Sequence, residues 1–403
     1  MTRDHVKFLT LGLMTLIVLY MFQASTFVVD ESLHHGQILS LMNGDNERSP
    51  NITTFLAFHK IYASVGQVFN LTSILDFRLI SFAITGLMVL VLVGVSRDEN
   101  GAFNWLLACQ LFFLPIALPY YPLIYTDILA LTLLYCAYHQ FSLKHHGLTV
   151  LLAGLAVLIR QPSLVWLGLF LCVCFFEHLP IKSLKKISIH QFFHAIKKSW
   201  LYVAGIIGFL LYFFLAGGIS QGAEEFHQVS INVTNVYFMV VVFWLVFWPL
   251  LLSRYQQVLS VLRQNKWIIL LVVIGLPVYM ATYSVTNFFN SPALNIFLRN
   301  WLLNHINDSL WLQFTAYILS VYTVLAMSTL KLKSLIWNWL YVFLPLSVIA
   351  MPLIEQRYYI VGMAFWQLSR TMGSFKIEQI QLLWMVICSL FLYIGMSQAW
   401  FYL

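Results

Sequence analysis

The stretch FRLISFAITGLMVLVLVGVS, residues 77–96, is apolar along almost its whole length and carries one charged side chain, Arg78. An α-helix needs about 20 consecutive apolar residues to cross the hydrocarbon core of a bilayer. The whole chain has this character, because 61% of its 403 residues are hydrophobic and only 9% are charged. The mean hydropathy is +0.82. Soluble domains contain about 25% charged residues, so the sequence predicts an all-α polytopic membrane protein.

Apolar stretches of this kind recur along the chain. They predict about 12–13 transmembrane helices with the approximate bounds 7–26, 77–96, 102–119, 123–142, 148–160, 163–178, 200–216, 235–253, 267–286, 310–330, 335–352 and 380–400, together with a span or half-span near 357–369. The first run follows Arg3 and Lys7 and shows no clear cleavage site, so we interpret it as a retained signal anchor. We expect 1–403 to form a single integral membrane domain.

The distribution of charge predicts the topology. With the amino terminus inside and the spans alternating, most of the 22 Lys and Arg residues fall in inner segments, as the positive-inside rule requires. The net charge of +7 is therefore explained by topology and does not indicate nucleic-acid binding. Most of the 15 acids fall on the outer side, which also has the longer loops 27–76, 217–234 and 287–309. In the first loop, the pattern of 49–70 predicts one or two helices on the membrane surface.

The stretch DESLHHGQ, residues 30–37, opens the first outer loop. On a helix, Asp30, His34 and Gln37 share one face because their spacing is i, i+4, i+7. The residues alone leave three interpretations open. Asp30 and Glu31 can begin a helix, where acids complement the dipole. The acids and histidines can ligate a metal, or a carboxylate can act as a base at the membrane edge.

Further ionisable residues are predicted on the same outer side. Asp127 begins an otherwise apolar span, where a charge is costly unless it caps a helix, is paired or has a function. Arg160, between two spans, is either an interfacial anchor or a ligand-binding residue, and Glu355 can pair with Arg357. Together with Arg299, these arginines suit an anionic, hydroxyl-rich ligand, since guanidinium binds phosphate through a fork of donors. The chain has no Gly-rich phosphate loop, so a nucleotide-sugar site is unsupported.

Short motifs follow one another in the order of a known family. They are DESLHHGQI at 30–38, ITT at 52–54, YTD at 125–127, RQPSLVW at 160–166, the loop 217–238, LRNW at 298–301 and EQRYYI at 355–360. This series resembles the terminal α-1,2-glucosyltransferases of dolichol-linked N-glycan assembly, with their patterns DExFHxxQA, ITT, YT plus an acid, RQTNIVW and EFRYYI. The resemblance covers most of the chain.

The chain departs from these patterns at several positions. The Pro-Gly that follows ITT in the family is absent, and Gln356 stands where the family has Phe. In the loop 217–238, His227 is in step with the family, but Asn232 and Asn235 replace a His and a Gln. The acid-amide pair that precedes the family's equivalent of Arg299 is also lost.

The resemblance implies a GT-C-like bundle and an inverting transfer of glucose from a polyprenyl (dolichyl) phosphate donor to a lipid-linked oligosaccharide, forming an α-1,2 bond. It implies Asp30 as the base, with Glu31 as the second candidate. The implied substrate-binding residues are His34, Gln37, Asp127, Arg160, His227, Arg299, Glu355 and Arg357. No cofactor and no metal are expected. The site would face away from the cytosol, in the endoplasmic reticulum of a eukaryote or the inner membrane of a bacterium.

Other functions remain open from the residues. Another lipid-phosphate-sugar glycosyltransferase, such as a mannosyltransferase or a bacterial surface-glycan enzyme, would use the same kinds of side chain. A transporter or flippase predicts inverted repeats and polar residues at the bilayer midplane, whereas the polar residues here are predicted on one side. A non-catalytic membrane regulator predicts that the outer acids are dispensable.

Overall fold

The computed structural model describes residues 2–21, 28–98, 100–179, 188–219 and 230–403. The α-helices in these ranges are α1 Arg3–Met21, α2 Glu31–Met42, α3 Ala57–Phe69, α4 Ile74–Val95, α5 Trp105–Phe112, α6 Thr126–Ser142, α7 His146–Ile159, α8 Leu164–Glu177, α9 Ile189–Leu215, α10 Val233–Leu252, α11 Tyr255–Gln264, α12 Lys266–Thr282, α13 Leu298–Asp308, α14 Leu310–Thr329, α15 Leu340–Ile349, α16 Ile360–Ser369 and α17 Phe375–Ser397. Helices dominate the described ranges, which confirms the predicted all-α class.

Among the described residues, five helices are long and apolar enough to cross a membrane: α4, α9, α10, α14 and α17. The helices α11 and α12, bent by 100° at their junction, would add a sixth span if they count as one. The protein is therefore an integral membrane protein. Several of the other predicted spans are shorter apolar helices. Pro162 lies between α7 and α8, and Pro345 lies inside α15.

The segment between α5 and α6 differs most clearly from the prediction. The expected span 102–119 is helical only as far as Phe112, and one 3-10 turn, Leu118–Tyr120, follows. The stretch contains three prolines, Pro115, Pro119 and Pro122. Every residue from 113 to 125 is buried, as irregular backbone at membrane depth must be when no water can satisfy it. This buried segment leads directly into the YTD motif.

The chain divides into two compact units. Unit 1 comprises Met1–Ser96, Tyr120–Glu225 and Ser334–Ser347, and unit 2 comprises Arg97–Pro119, Phe226–Lys333 and Val348–Leu403. Within unit 1, α6 packs against α4 and α7, α8 packs against α9, and α2 packs against α3. Within unit 2, α10 packs against α14 and α17.

The first predicted outer loop holds the helices α2 and α3. Helix α3 is followed by Asn70, whose left-handed backbone (φ 52°) turns the chain towards α4. Helix α4 then begins with a capping box, in which Ser73 and Asp76 each bind the other's main-chain N–H. An apolar cluster joins these helices to α6 and α7 through Ile38, Leu41, Phe58, Tyr62, Phe77, Ile124, Ala130 and Ile159. This cluster packs the carboxyl-terminal half of α2 against the neighbouring helices.

Candidate active site

The amino end of α2 meets the segment before α6. Asp30 stands directly before α2, at the N-cap position, but its side chain makes no capping hydrogen bond. Its main-chain N–H donates to the Tyr125 hydroxyl at 3.1 Å, and that hydroxyl donates to the Val28 carbonyl, also at 3.1 Å. Tyr125 thereby joins the DES and YTD motifs, which lie 95 residues apart in the sequence. Asp30 is half-buried at this junction.

Glu31 is fully buried, and its carboxylate accepts hydrogen bonds from two elements besides its own. Arg78 donates to it through Nε at 2.8 Å and through a terminal nitrogen at 2.5 Å. The main-chain N–H groups of Val28 and Ile124 donate to the same carboxylate, each at 3.1 Å. A carboxylate offers about four lone-pair sites, so these bonds leave little capacity for a substrate proton. The arrangement favours Asp30 over Glu31 as a base.

His34 lies one turn after Asp30 in an aromatic environment. Its ring stacks on that of His59, with centroids 5.1 Å apart and 28° between the planes, and Nδ1 of His34 lies 2.9 Å from Nε2 of His59. The Tyr125 ring packs edge-on against His34, with centroids 5.5 Å apart. His59 is fully buried. Burial lowers the pKa of His59 to about 4, because the charged form loses its hydration, so this ring is neutral near pH 7.

The side-chain amide of Gln37 forms hydrogen bonds with the main chain of the loop that follows α2. Its Nε2 donates to the Glu47 carbonyl at 3.0 Å, and the Ser49 N–H donates to its Oε1 at 2.6 Å. Gln37 therefore holds the chain at 47–49 against α2, since one amide satisfies a main-chain acceptor and a main-chain donor together. A role for Gln37 in binding sugar hydroxyls stays a prediction.

Asp127 and Arg160 form an ion pair between the start of α6 and the end of α7. The Asp127 side chain is 3% exposed and that of Arg160 is 13% exposed, so removing either partner would leave a nearly buried charge. The next residue, Gln161, donates through Nε2 to the carbonyls of Thr53 at 3.0 Å and Ile219 at 3.2 Å. The ITT motif, the RQPSLVW motif and the start of the loop 217–238 therefore meet within unit 1.

Three of the predicted residues lie together in unit 2. Glu355 is buried, Arg357 donates to its Oε1 through Nε at 2.6 Å, and Arg299 lies 3.5 Å from the same oxygen. Arg299 also donates to the main-chain oxygen of Leu403 at 2.6 Å. Its Nε has no hydrogen-bond partner among the described residues. Two guanidinium groups thus lie against one carboxylate, and guanidinium is a group that binds anionic ligands through charge-assisted hydrogen bonds.

The segment that carries Glu355 is held by Asn290, which is not among the site residues predicted from the sequence. Asn290 donates to the Ile354 carbonyl at 2.9 Å and accepts the Ile354 N–H at 2.9 Å. Its Nδ2 also donates to Oδ1 of Asn300 at 3.0 Å. The concentration of asparagines at 287–307 was the available signal, because polar residues in so apolar a chain require partners.

Two asparagines that depart from the family pattern hold the same segment. Asn232 accepts the N–H of Asn235 at 3.3 Å at the start of α10, and its Nδ2 donates to the Pro352 carbonyl at 3.1 Å. Asn235 donates to the Leu353 carbonyl at 3.1 Å and accepts the Tyr359 hydroxyl at 2.6 Å. Both departures therefore have a structural role in unit 2.

Arg78 and Tyr125 are further site residues whose roles were not predicted. Arg78 lies in the first turns of α4, and a charge in an apolar span requires a partner, so a signal was present. The predicted residue His227 lies outside the described residues. Within the described part of the chain, no three His, Cys, Asp or Glu side chains are grouped so that they could hold a metal ion.

Comparison with known proteins places the chain in a family. The sequence matches the DIE2/ALG10 family over residues 24–186 and 177–368. The Dol-P-Glc:Glc(2)Man(9)GlcNAc(2)-PP-Dol alpha-1,2-glucosyltransferase of Candida albicans is 24% identical over 152 residues, which are 36% of this chain and 33% of that protein. The protein of the same name from Drosophila melanogaster is 22% identical over 247 residues, which are 54% of this chain and 55% of that protein.

These alignments span about a third and about half of the lengths of the two relatives. No solved structure matches the chain. The family match, in contrast, extends over most of the sequence and includes the DES, ITT, YTD, RQ and EQRYYI motifs. The chain belongs to the DIE2/ALG10 family.

Proposed function

We propose that the chain is an inverting glycosyltransferase that moves glucose from dolichyl (polyprenyl) phosphate glucose to a lipid-linked oligosaccharide, forming an α-1,2 bond. Family membership supports this, as do the names of the two relatives, which specify a Dol-P-Glc donor and a Glc(2)Man(9)GlcNAc(2)-PP-Dol acceptor. We propose the endoplasmic reticulum membrane as its location. The positive-inside distribution of Lys and Arg supports a site on the non-cytosolic face.

The observation that carries the proposal is the junction of motifs in unit 1. Tyr125 joins the main chain at Asp30, and Asp127, two residues further on, pairs with Arg160. Gln161 then binds the carbonyl of Thr53. Tyr125 thus ties the YTD motif to the main chain of Asp30, a half-buried residue where the first outer loop begins, and the ITT and RQPSLVW motifs meet within the same unit. A membrane-edge glycosyl transfer requires such a base together with fixed polar groups.

In the proposed reaction, a hydroxyl of the acceptor attacks the anomeric carbon of the donor. The bond from that carbon to the oxygen of the lipid phosphate breaks, and the phosphate leaves with the electron pair. The hydroxyl proton passes to the carboxylate of Asp30, a step that contributes about 10²–10⁴-fold in enzymes. Attack from the face opposite the phosphate converts a β-linked donor into an α-linked product.

The leaving phosphate gains negative charge, and we propose Arg299 and Arg357 as the residues that bind it. Positioned guanidinium groups stabilise charge that develops in a transition state. The contacts of both with Glu355, at 3.5 and 2.6 Å, support this by holding them in place. Because binding holds two lipid-anchored substrates in line, it also lowers the entropic part of the barrier.

The test is incubation of the purified protein with dolichyl phosphate glucose and a Glc(2)Man(9)GlcNAc(2)-PP-Dol acceptor. We expect the acceptor to gain the mass of one hexose, and digestion with linkage-specific glucosidases to identify an α-1,2 bond. A parallel reaction with dolichyl phosphate mannose is the control. Transfer of mannose alone would identify the mannosyltransferase alternative, and a folded protein that transfers neither sugar would contradict the proposal.

A further inference from the structure

His34 on α2 and His59 on α3 form a direct contact between two ring nitrogens. Nδ1 of His34 lies 2.9 Å from Nε2 of His59, and the stacked rings restrict each other's rotation. One of the two nitrogens must carry the shared hydrogen, because two lone pairs or two N–H groups would repel at this distance. The question is which ring donates it.

The burial of His59 decides the direction of this hydrogen bond. Nδ1 of His59 has no hydrogen-bond partner among the described residues, and the side chain is fully buried. If His59 accepted from His34, its own hydrogen would sit on Nδ1 as a buried N–H without an acceptor. Buried orphan donors are rarer than buried orphan acceptors. The hydrogen of His59 is therefore expected on Nε2, where it has an acceptor.

We propose that His59 is a positioning residue that donates its Nε2–H to Nδ1 of His34, so that His34 acts through Nε2 as a hydrogen-bond donor. A neutral imidazole carries one hydrogen, so a His34 ring that accepts at Nδ1 must be protonated at Nε2. The ligand of this group would be an oxygen atom of a bound sugar. This inference rests on the proposed function for the identity of the ligand, but not for the tautomer.

The same arrangement removes His34 as a competing base. A ring with its lone pair bound at Nδ1 and a hydrogen at Nε2 cannot take a proton from an acceptor hydroxyl at Nε2. The burial of His59 keeps its ring neutral, since its pKa is lowered to about 4, so it does not supply a second proton near pH 7. Asp30, one turn before His34, is then the residue that accepts the proton in the proposed reaction.

Variants of His59 separate positioning from simple packing. His59→Gln keeps an amide N–H near the position of Nε2, and we expect it to retain transfer within about threefold of the wild type. His59→Leu removes the donor and should lower kcat/KM about tenfold, which corresponds to one lost hydrogen bond. The double variant His34→Ala/His59→Leu should be no less active than His34→Ala, because His59 acts through His34. A folded His59→Gln as inactive as His59→Leu, or additive losses in the double variant, would overturn the inference.

A spectroscopic measurement keeps this inference separate from the proposed function. Nitrogen NMR of the purified protein labelled with ¹⁵N-histidine reports which ring nitrogens carry hydrogen, whether or not a sugar is transferred. We expect His34 protonated at Nε2 and His59 protonated at Nε2, with both signals assigned by the loss of one in each single variant. Protonation of His34 at Nδ1 would overturn the inference even in an active enzyme. An inactive protein with the expected tautomers would contradict only the proposed function.

Discussion

Glu31 and Arg78 are joined by two hydrogen bonds of 2.5 and 2.8 Å, although 47 residues separate them in the sequence and both side chains are buried. The pair fixes the first residue of α2 to the first turns of α4. Asp30, the neighbouring residue, therefore has its main chain set by a charge pair in the interior of unit 1. The two acids of the DES motif therefore differ in environment: Glu31 is buried in an ion pair with Arg78, whereas Asp30 is half-exposed.

We expect Glu31→Gln to destabilise the fold. The neutral amide would remove the carboxylate charge that faces the buried Arg78 guanidinium, and breaking such a buried pair costs about 3–5 kcal/mol. The midpoint of thermal unfolding in detergent should fall, and adding Arg78→Met should restore part of it. If Glu31→Gln were as stable as the wild type and yet inactive, Glu31 would become the candidate base.

Asp30→Asn should leave the protein folded and reduce sugar transfer by about 10²–10⁴-fold, the usual contribution of a general base. The measurement is the initial rate of transfer at matched detergent and substrate concentrations. Asp45→Asn is a matched control, because Asp45 lies in the same loop and its carboxylate accepts hydrogen bonds from the Ser40 hydroxyl and the Glu47 N–H. We expect this control to retain activity. Full activity of Asp30→Asn would remove Asp30 from the mechanism.

We expect the free energy of unfolding to decrease as the pH falls below neutral, because His59 is buried in its neutral form. Its pKa in the folded protein is lowered to about 4 by burial, whereas an unfolded histidine titrates near about 6.5. Between these values the unfolded chain binds a proton that the folded chain does not, so acid favours unfolding by up to about 3 kcal/mol. Thermal unfolding measured from about pH 7 to about pH 4.5 tests this. His59→Phe should show a smaller loss over the same range, and an equal loss would contradict the assignment.

Gln356 is buried, and neither atom of its amide has a hydrogen-bond partner among the described residues. Such a group costs about 1–3 kcal/mol, so Gln356→Phe, the residue in the family pattern, should raise the midpoint of thermal unfolding. Gln367→Phe is the matched control, because Gln367 is also buried but binds Arg370 at 2.8 Å. We expect the control to lower the midpoint. A lower midpoint for Gln356→Phe as well would contradict the prediction.

The membrane-spanning pattern was readable from local composition. The stretch 77–96 predicts a span and is helical as α4, Ile74–Val95, because a long apolar run has few other ways to satisfy its backbone. The run at 102–119 is also apolar, but its helix ends at Phe112, since its prolines prevent continuation. Apolarity indicates burial in both cases, whereas proline decides which of them remains helical.

For the candidate site, the sequence predicts candidate residues but not the residues that they contact. The order of short motifs singles out Asp30, Asp127 and Arg160 as candidates. Their partners come from the fold, because pairings such as Asp30 with Tyr125 join segments that no local periodicity relates. The contact of His34 with His59 is of the same kind, since it depends on how α2 packs against α3.

Asn290 and Ile354 are bound to each other as two residues of neighbouring β-strands would be, one donor and one acceptor on each side. The amide of this one side chain thus forms the pair of hydrogen bonds that a residue of a neighbouring β-strand would otherwise form. Exchanging that nitrogen for oxygen, as deamidation to aspartate does, keeps the size of the side chain but replaces its donor by an acceptor that faces the Ile354 carbonyl. Deamidation of Asn290 would therefore remove a hydrogen bond that holds the segment carrying Glu355 and Arg357.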